Sequence, residues 1–227
     1  ELFPNVQLNV QVPYLNNQMS GSHQSVASHG LGDPMALLYF TPFNTGESTS
    51  AWRHSLRIGG GVKFPLGDDQ KEDGGVIINR NFQLGSGSLD YLLSTNYTFS
   101  MNDWGVNVET SYKLNTANSQ GYRFGNQFNA SAYAFRYLES SIVGFLPFAG
   151  MYFESAQQHR DGKVDQVNTG GEALFATIGT QIYYKRINLM LDYQYPLSQK
   201  YNSDNVATIT AANRFSVGLI YSIGTAD

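Results

Sequence analysis

At 227 residues the chain has room for one large all-β domain or two small ones. Charged residues make up 14% of it while Tyr and Phe number 15 and 14, a balance unlike that of a cytosolic enzyme. The net charge of −4 argues against nucleic acid as a partner, since that needs a basic face. No window approaches the ~18 apolar residues of a membrane helix; the best candidate, residues 141–153, is short and holds Pro147. The lack of cysteine fits several compartments. The chain opens on Glu1-Leu2-Phe3-Pro4 with no signal peptide, so a mature or truncated N-terminus with strands missing upstream is expected.

The dominant pattern has period 2. Val6, Leu8, Val10 and Val12 alternate with Gln7, Asn9 and Gln11. A less regular strand is expected over 35–43, weakened by Pro42. Leu56, Ile58, Val62 and Phe64 then alternate with Arg57, Gly59, Gly61 and Lys63. Leu89, Tyr91, Leu93, Thr95, Tyr97 and Phe99 alternate with Asp90, Leu92, Ser94, Asn96, Thr98 and Ser100. Trp104, Val106, Val108, Thr110, Tyr112 and Leu114 alternate with Gly105, Asn107, Glu109, Ser111 and Lys113. Less clean strands are expected over 128–138, 145–153 and 174–184. Ile187, Leu189, Leu191, Tyr193 and Tyr195 alternate with Asn188, Met190, Asp192 and Gln194. Phe215, Val217, Leu219, Tyr221 and Ile223 close the series against Ser216, Gly218, Ile220, Ser222 and Gly224. This makes about ten strands of roughly 9–13 residues, the length a tilted strand needs to cross a bilayer and longer than the usual soluble strand.

Connections alternate too. Residues 15–33, 66–87, 115–127, 155–171 and 199–213 are long and polar; 44–50 is shorter, and 101–103, 139–141 and 185–186 are tight. Outer-membrane barrels have short periplasmic turns and long outer loops, and a soluble sandwich has no cause to alternate so regularly. The expected fold is all-β, a single antiparallel transmembrane β-barrel over residues 1–227. Both termini then lie on the periplasmic side of a bacterial outer membrane, with membrane lipid as the partner of the apolar face. An open sheet would strand backbone groups in hydrocarbon, so the sheet should close. The polar face supplies lumen candidates Arg57, Lys63, Asp90, Asn96, Asn107, Glu109, Lys113, Asp192 and Gln194. Aromatic girdles are expected from Phe43, Trp52, Phe99, Trp104, Tyr137 and Tyr184 near the short turns, and from Tyr91, Tyr112, Tyr193 and Tyr195 toward the long loops.

Several strings, in order, resemble a family of outer-membrane barrels named for the meta-pathway of phenol degradation. They are Gly30-Leu31-Gly32-Asp33, Gly61-Val62-Lys63-Phe64-Pro65-Leu66-Gly67 and Leu84-Gly85-Ser86-Gly87-Ser88-Leu89-Asp90. Tyr112-Lys113-Leu114-Asn115, Tyr122-Arg123-Phe124-Gly125, Asn168-Thr169-Gly170-Gly171 and Tyr195-Pro196-Leu197 follow. The resemblance covers most of the chain from about residue 30 and implies a transporter-type barrel of about twelve strands, the first two absent here. The ending Thr225-Ala226-Asp227 departs from barrels that stop on an aromatic.

The lumen residues carry both charge signs, which fits either an internal network that plugs the barrel or a polar path for small solutes; buried charges need partners in both cases. Gly59, Gly60 and Gly61 relieve crowding, bend the strand or open a gap. Of the four histidines, His23, His29 and His159 fall in long loops and His54 beside a strand. The His23/His29 spacing and the Asp161-Gly162-Asp165 stretch are too sparse for a metal or calcium site. His54 and its neighbour Ser55 face opposite ways in extended chain, so no catalytic triad is expected, and neither cofactor nor metal. Three functions are in view: a channel or carrier for small, including hydrophobic, solutes; a structural or accessory barrel bound to other outer-membrane proteins; and, least supported, a barrel enzyme using His54.

Overall fold

The computed structural model describes residues 5–20, 25–46, 51–203 and 208–223. One antiparallel sheet dominates them. Its strands are β1 (Val6–Gln11), β2 (Met35–Asn44), β3 (Trp52–Lys63), β4 (Asp90–Met101) and β5 (Trp104–Leu114), then β6 (Gln127–Arg136), β7 (Gly144–Ala156), β8 (Gly171–Tyr184), β9 (Ile187–Tyr201) and β10 (Arg214–Tyr221). Each pairs with its neighbour in the chain, so the order is a plain meander. All ten segments expected from the alternation are present. Among the described residues the ladder has two ends: β1 pairs only with β2 and β10 only with β9. The pairing expected to close the sheet is not among its hydrogen bonds.

The sheet is nonetheless strongly curved. One cavity is lined by Asn96 on β4 and Ser216 on β10, with residues of every strand between them. In a flat sheet those two strands would stand about 29 Å apart, six spacings of roughly 4.8 Å. A shared cavity of about 650 Å³ requires the sheet to bend round it.

The two faces differ in a consistent sense. The concave face is polar: Asp90, Ser94, Lys63 and Thr177 are buried, and the apolar residues buried among the described ones are few, chiefly Leu37, Ala173 and Phe175. The convex face is apolar and exposed, with Leu93 at 64%, Ile178 at 61% and Val217 at 61% of full accessibility. Val106 and Val108 are also exposed, and Leu189 and Leu191 half so, where a sandwich would have buried all four.

Connections at one end are short. Asn102 and Lys185 occupy the left-handed region (φ +53° and +51°) in two-residue turns between β4 and β5 and between β8 and β9. The connections at the opposite end are long and carry structure of their own. The stretch 15–33, expected as a polar loop, falls largely in a hairpin of Tyr14–Ser20 with Ser25–Leu31. The 64–89 connection holds a small ladder of Glu72–Asp73 with Val76–Ile77 and a 3₁₀ turn at Arg80–Phe82. Tyr122–Arg123, Arg160–Asp161 and Val164–Asp165 form a three-stranded patch linking two other loops. No helix among the described residues is long and apolar enough to cross a membrane.

Local irregularities have local causes. Pro42 cannot donate to a ladder, and the β2–β3 register shifts between Phe40 and Phe43, around it. On the concave face Gly59 lies opposite Tyr39 and Gly61 opposite Leu37. A Cβ at Gly59 would meet the Tyr39 ring at 2.5 Å, and one at Gly61 would meet the Ala36 carbonyl oxygen at 2.4 Å. These glycines relieve crowding and do not open a gap. Gly60, on the convex face, has nothing closer than 3.8 Å. Gly61→Ala is therefore expected to destabilise the fold by about 1–3 kcal/mol through overpacking, and Gly60→Ala to have little effect. Urea midpoints of the two variants check this, and equal midpoints would contradict the packing account.

Candidate functional site

The concave face divides into an ion-paired cluster toward β1–β4 and an open chamber toward β5–β10. The cluster centres on Lys63, the last residue of β3. Its Nζ donates to Asp33 Oδ2 at 2.6 Å, to the Ser88 carbonyl at 3.1 Å and to the Ser86 hydroxyl. It also stands 2.9 Å from Asp90 Oδ2, pairing charge there off the hydrogen-bonding direction. All three charged side chains are nearly or wholly inaccessible. Asp33 takes further bonds from the backbone N–H groups of Gly67 and Ser86, and Asp90 from Ser88 Oγ and the N–H of Thr116. Two carboxylates around one ammonium, each also held by backbone donors, satisfy the demands of buried charge.

Asp33 was not among the expected lumen residues. The signal for it was present in Gly30-Leu31-Gly32-Asp33 ahead of β2, one of three family-like strings that this cluster brings together; the others supply Lys63 and Gly67, and Ser86, Ser88 and Asp90. Lys113 is within electrostatic reach of Asp90, Lys63 and Asp33. Arg57 also belongs to the concave side, but its guanidinium lies over the Tyr39 ring, 5.9 Å from the centroid.

The remaining candidates, Asn96, Asn107, Glu109, Asp192 and Gln194, line the chamber of about 650 Å³. A ladder fixes part of its wall: Asn107 Nδ2 donates to Thr98 Oγ1 at 2.8 Å and to Asn96 Oδ1 at 3.1 Å, while Asn96 Nδ2 reaches Glu109 Oε2 at 3.3 Å. Met190, on the same parity as Asp192, and Tyr133, Phe135, Leu146, Phe148 and Tyr152, which the alternation did not single out, give the chamber an apolar component. A second cavity of about 390 Å³ adjoins it, sharing Asn129 and Tyr152, and extends to His159 and Thr169 in the long connections. At the wall of the second cavity Arg214 makes a two-point pair with Glu154 (2.7 and 2.8 Å), Tyr201 donates to the same carboxylate at 2.9 Å, and Arg214 stacks 4.2 Å over the buried Phe175 ring. Glu154 and Arg214 lie on strands three apart, so no local pattern could have joined them.

The long connections lock to one another. Ser28 Oγ donates to the Phe82 carbonyl at 2.5 Å, Lys71 Nζ to the Ala27 carbonyl at 2.8 Å, and Arg80 to the Gln120 amide oxygen. Tyr122 OH meets His159 Nδ1 at 2.8 Å, with Phe124 packed on the imidazole and Arg80 over the Tyr122 ring. Burial, aided by Lys113, lowers the His159 pKa from the ordinary 6.5. Burial also raises the Tyr122 pKa.

His54 is on the convex face, its Nδ1 2.6 Å from Tyr97 OH, with Ser55 on the other face. His29 is exposed in the hairpin, and His23 lies outside the described residues. Asp165 pairs with Arg160 at 2.5 Å across the Gly162 turn. No group of three or more metal-binding side chains occurs among the described residues. Of the girdle candidates, Trp52, Trp104, Tyr137 and Tyr184 are exposed near the short turns, with Phe99 5.3 Å from Trp52 between ring centroids. Tyr193 and Tyr195 are exposed toward the long connections. Arg136 and Lys185 lie over the Trp104 and Tyr184 rings.

No family model matches the chain, and no curated protein matches it.

Lys63→Met removes the charge between Asp33 and Asp90 and is expected to cost about 3–5 kcal/mol, as when one partner of a buried pair is lost. Replacing all three with apolar residues of similar volume should recover most of it; urea unfolding of both variants checks this. His159 predicts a pH effect. Its folded pKa lies below the unfolded one, so its packing contributes fully above about pH 6.5 and is lost as pH falls. Protection factors, that is exchange rates relative to the base-catalysed intrinsic rate at each pH, should fall in residues 115–126 and 157–170 on acidification, and His159→Gln should flatten that dependence. Protection that is unchanged or rises at low pH would refute the assignment.

Proposed function

We propose that the chain is a bacterial outer-membrane β-barrel that passes small solutes, hydrophobic ones included, through its polar interior. The observation that carries this reading is the inversion of the sheet, with exposed Leu93, Ile178, Val217 and Leu219 outside and Asp90, Lys63, Ser94 and Thr177 inside. An apolar surface of this extent has a large hydration cost in water and marks a lipid or protein contact. In hydrocarbon the free edges of β1 and β10 could not persist, because each unpaired backbone group costs several kcal/mol; the curved sheet is taken to close in the membrane. Strands of 10–15 residues over β2–β9 and alternating short and long connections accord with that setting. Exposed Trp and Tyr near the short turns accord with an interfacial girdle, periplasmic in this orientation, on the same side as Val6 and Tyr221. The two adjoining cavities supply a route toward the long loops, and the resemblance to the meta-pathway barrels agrees with transport.

A second reading, a structural or accessory barrel in a larger outer-membrane assembly, is favoured by the Asp33–Lys63–Asp90 cluster, which fills the interior behind β2–β4 with fixed ion pairs. Reconstitution separates the two. The full chain in liposomes should give solute-dependent swelling or discrete currents in planar bilayers, and replacing Phe148 on the chamber wall with Trp should reduce the rate. A folded, inserted chain with neither swelling nor current would defeat transport; stable co-purification with another membrane protein would then support the accessory role.

A further inference from the structure

The chamber's charge is one-sided. None of the side chains lining it is basic, yet two carboxylates, Glu109 and Asp192, belong to its wall. Three carboxylates outside the chamber have their cations: Asp33 and Asp90 have Lys63, and Glu154 has Arg214. Among the described residues Glu109 and Asp192 have no ion-pair partner, and Arg57, opposite Asn96 on the strand next to it, spends its guanidinium on Tyr39. Glu109 receives one long amide bond from Asn96.

The chamber's aromatic residues supply a second, independent feature. Tyr133 and Phe148 meet edge to face with ring centroids 5.4 Å apart, and Phe135 and Tyr152 share the same wall. Tyr133 lies within electrostatic reach of both Asp192 and Glu109. Aromatic faces attract an ammonium, more strongly when water is excluded, and the attraction is largest for alkylated ammonium groups whose own hydration is weak. Leu146 and Met190 complete a surface suited to an apolar substituent. A volume of about 650 Å³ falls within the usual range for small-molecule sites.

From this juxtaposition of unpaired carboxylates with aromatic rings in one chamber, we infer that the chamber binds organic cations, specifically ammonium groups bearing an apolar or aromatic substituent, and disfavours anions. The inference rests on reading the interior as a solute path and names the class of solute it prefers.

The test uses the full chain in lipid nanodiscs and three probes of similar shape: benzyltrimethylammonium, its uncharged carbon analogue neopentylbenzene, and benzylphosphonate. Calorimetric titration should show the cation binding roughly tenfold or more tighter than the neutral analogue, with no binding of the phosphonate at the same concentrations. The double variant Glu109→Gln/Asp192→Asn, close to isosteric, should erase that preference and leave the neutral analogue unaffected. Equal affinity for cation and neutral analogue in the wild-type chain, tighter binding of the phosphonate, or a preference that survives the double substitution would overturn the inference. Liposome flux keeps the two proposals apart. Permeation without charge preference refutes the cation site and leaves transport standing, whereas selective cation binding without permeation supports the site and refutes transport.

Discussion

A strand offers its side chains two directions, and in this sheet both are committed against the habit of a water-soluble fold. Polar residues are gathered on the concave face, so their hydrogen-bonding groups must find one another. Apolar residues are left on the convex face without protein cover. The cross-strand ladder of Asn96, Thr98, Asn107 and Glu109, the Arg214–Glu154 pair and the Lys63 cluster follow from the first condition. The exposed leucines, valines and aromatics of the outer face follow from the second. The sheet's curvature is what makes both conditions compatible in one layer.

Within that frame the ends of the sheet divide the work. At one end, turns of a few residues join the strands at low entropic cost. At the other, long connections fold onto the sheet and onto each other. The Lys63 cluster is the hinge between these regimes: Lys63 and Asp90 are strand residues, whereas Asp33, Ser86 and Ser88 come from the connections. Each buried charge therefore fixes a connection as well as satisfying its partner. The Tyr122–His159 contact does the same for the loops nearer the open chamber, but with neutral groups.

How much of this could be read from the residues differs by scale. The ten strands of the meander were legible, because alternation is a local property and a slip of one residue would reverse every side chain. Lumen candidates followed from the same parity, and five of the nine line one chamber. The hairpin of Tyr14–Ser20 with Ser25–Leu31 was not legible: Asn16, Asn17 and Gln18 are polar on both faces, so period 2 leaves no trace. Glu154 with Arg214, and Asp33 with Lys63, depend on which strands and loops curvature brings together. The apolar chamber wall was not legible because Tyr133, Phe135 and Phe148 face inward from strands whose outward positions mix small residues (Ala132, Ala134, Ala149) with Phe128, Phe145 and Phe153, so both faces are apolar and contrast between them is weak.

The Lys63 cluster and the chamber differ in both ion pairing and openness. Where Lys63 meets two carboxylates, the space is filled and the side chains are inaccessible. Where Glu109 and Asp192 lack cations, the same kind of residue borders a cavity. A carboxylate at an unfilled site retains hydration and leaves a negative potential that low-dielectric walls focus; a paired one does neither. Nine lumen candidates of mixed sign therefore do not describe one environment. Lys63 and Asp90 are structural counter-charges, Glu109 and Asp192 are unneutralised, and the boundary between the two is set by where the basic residues of β3 and β10 find their partners.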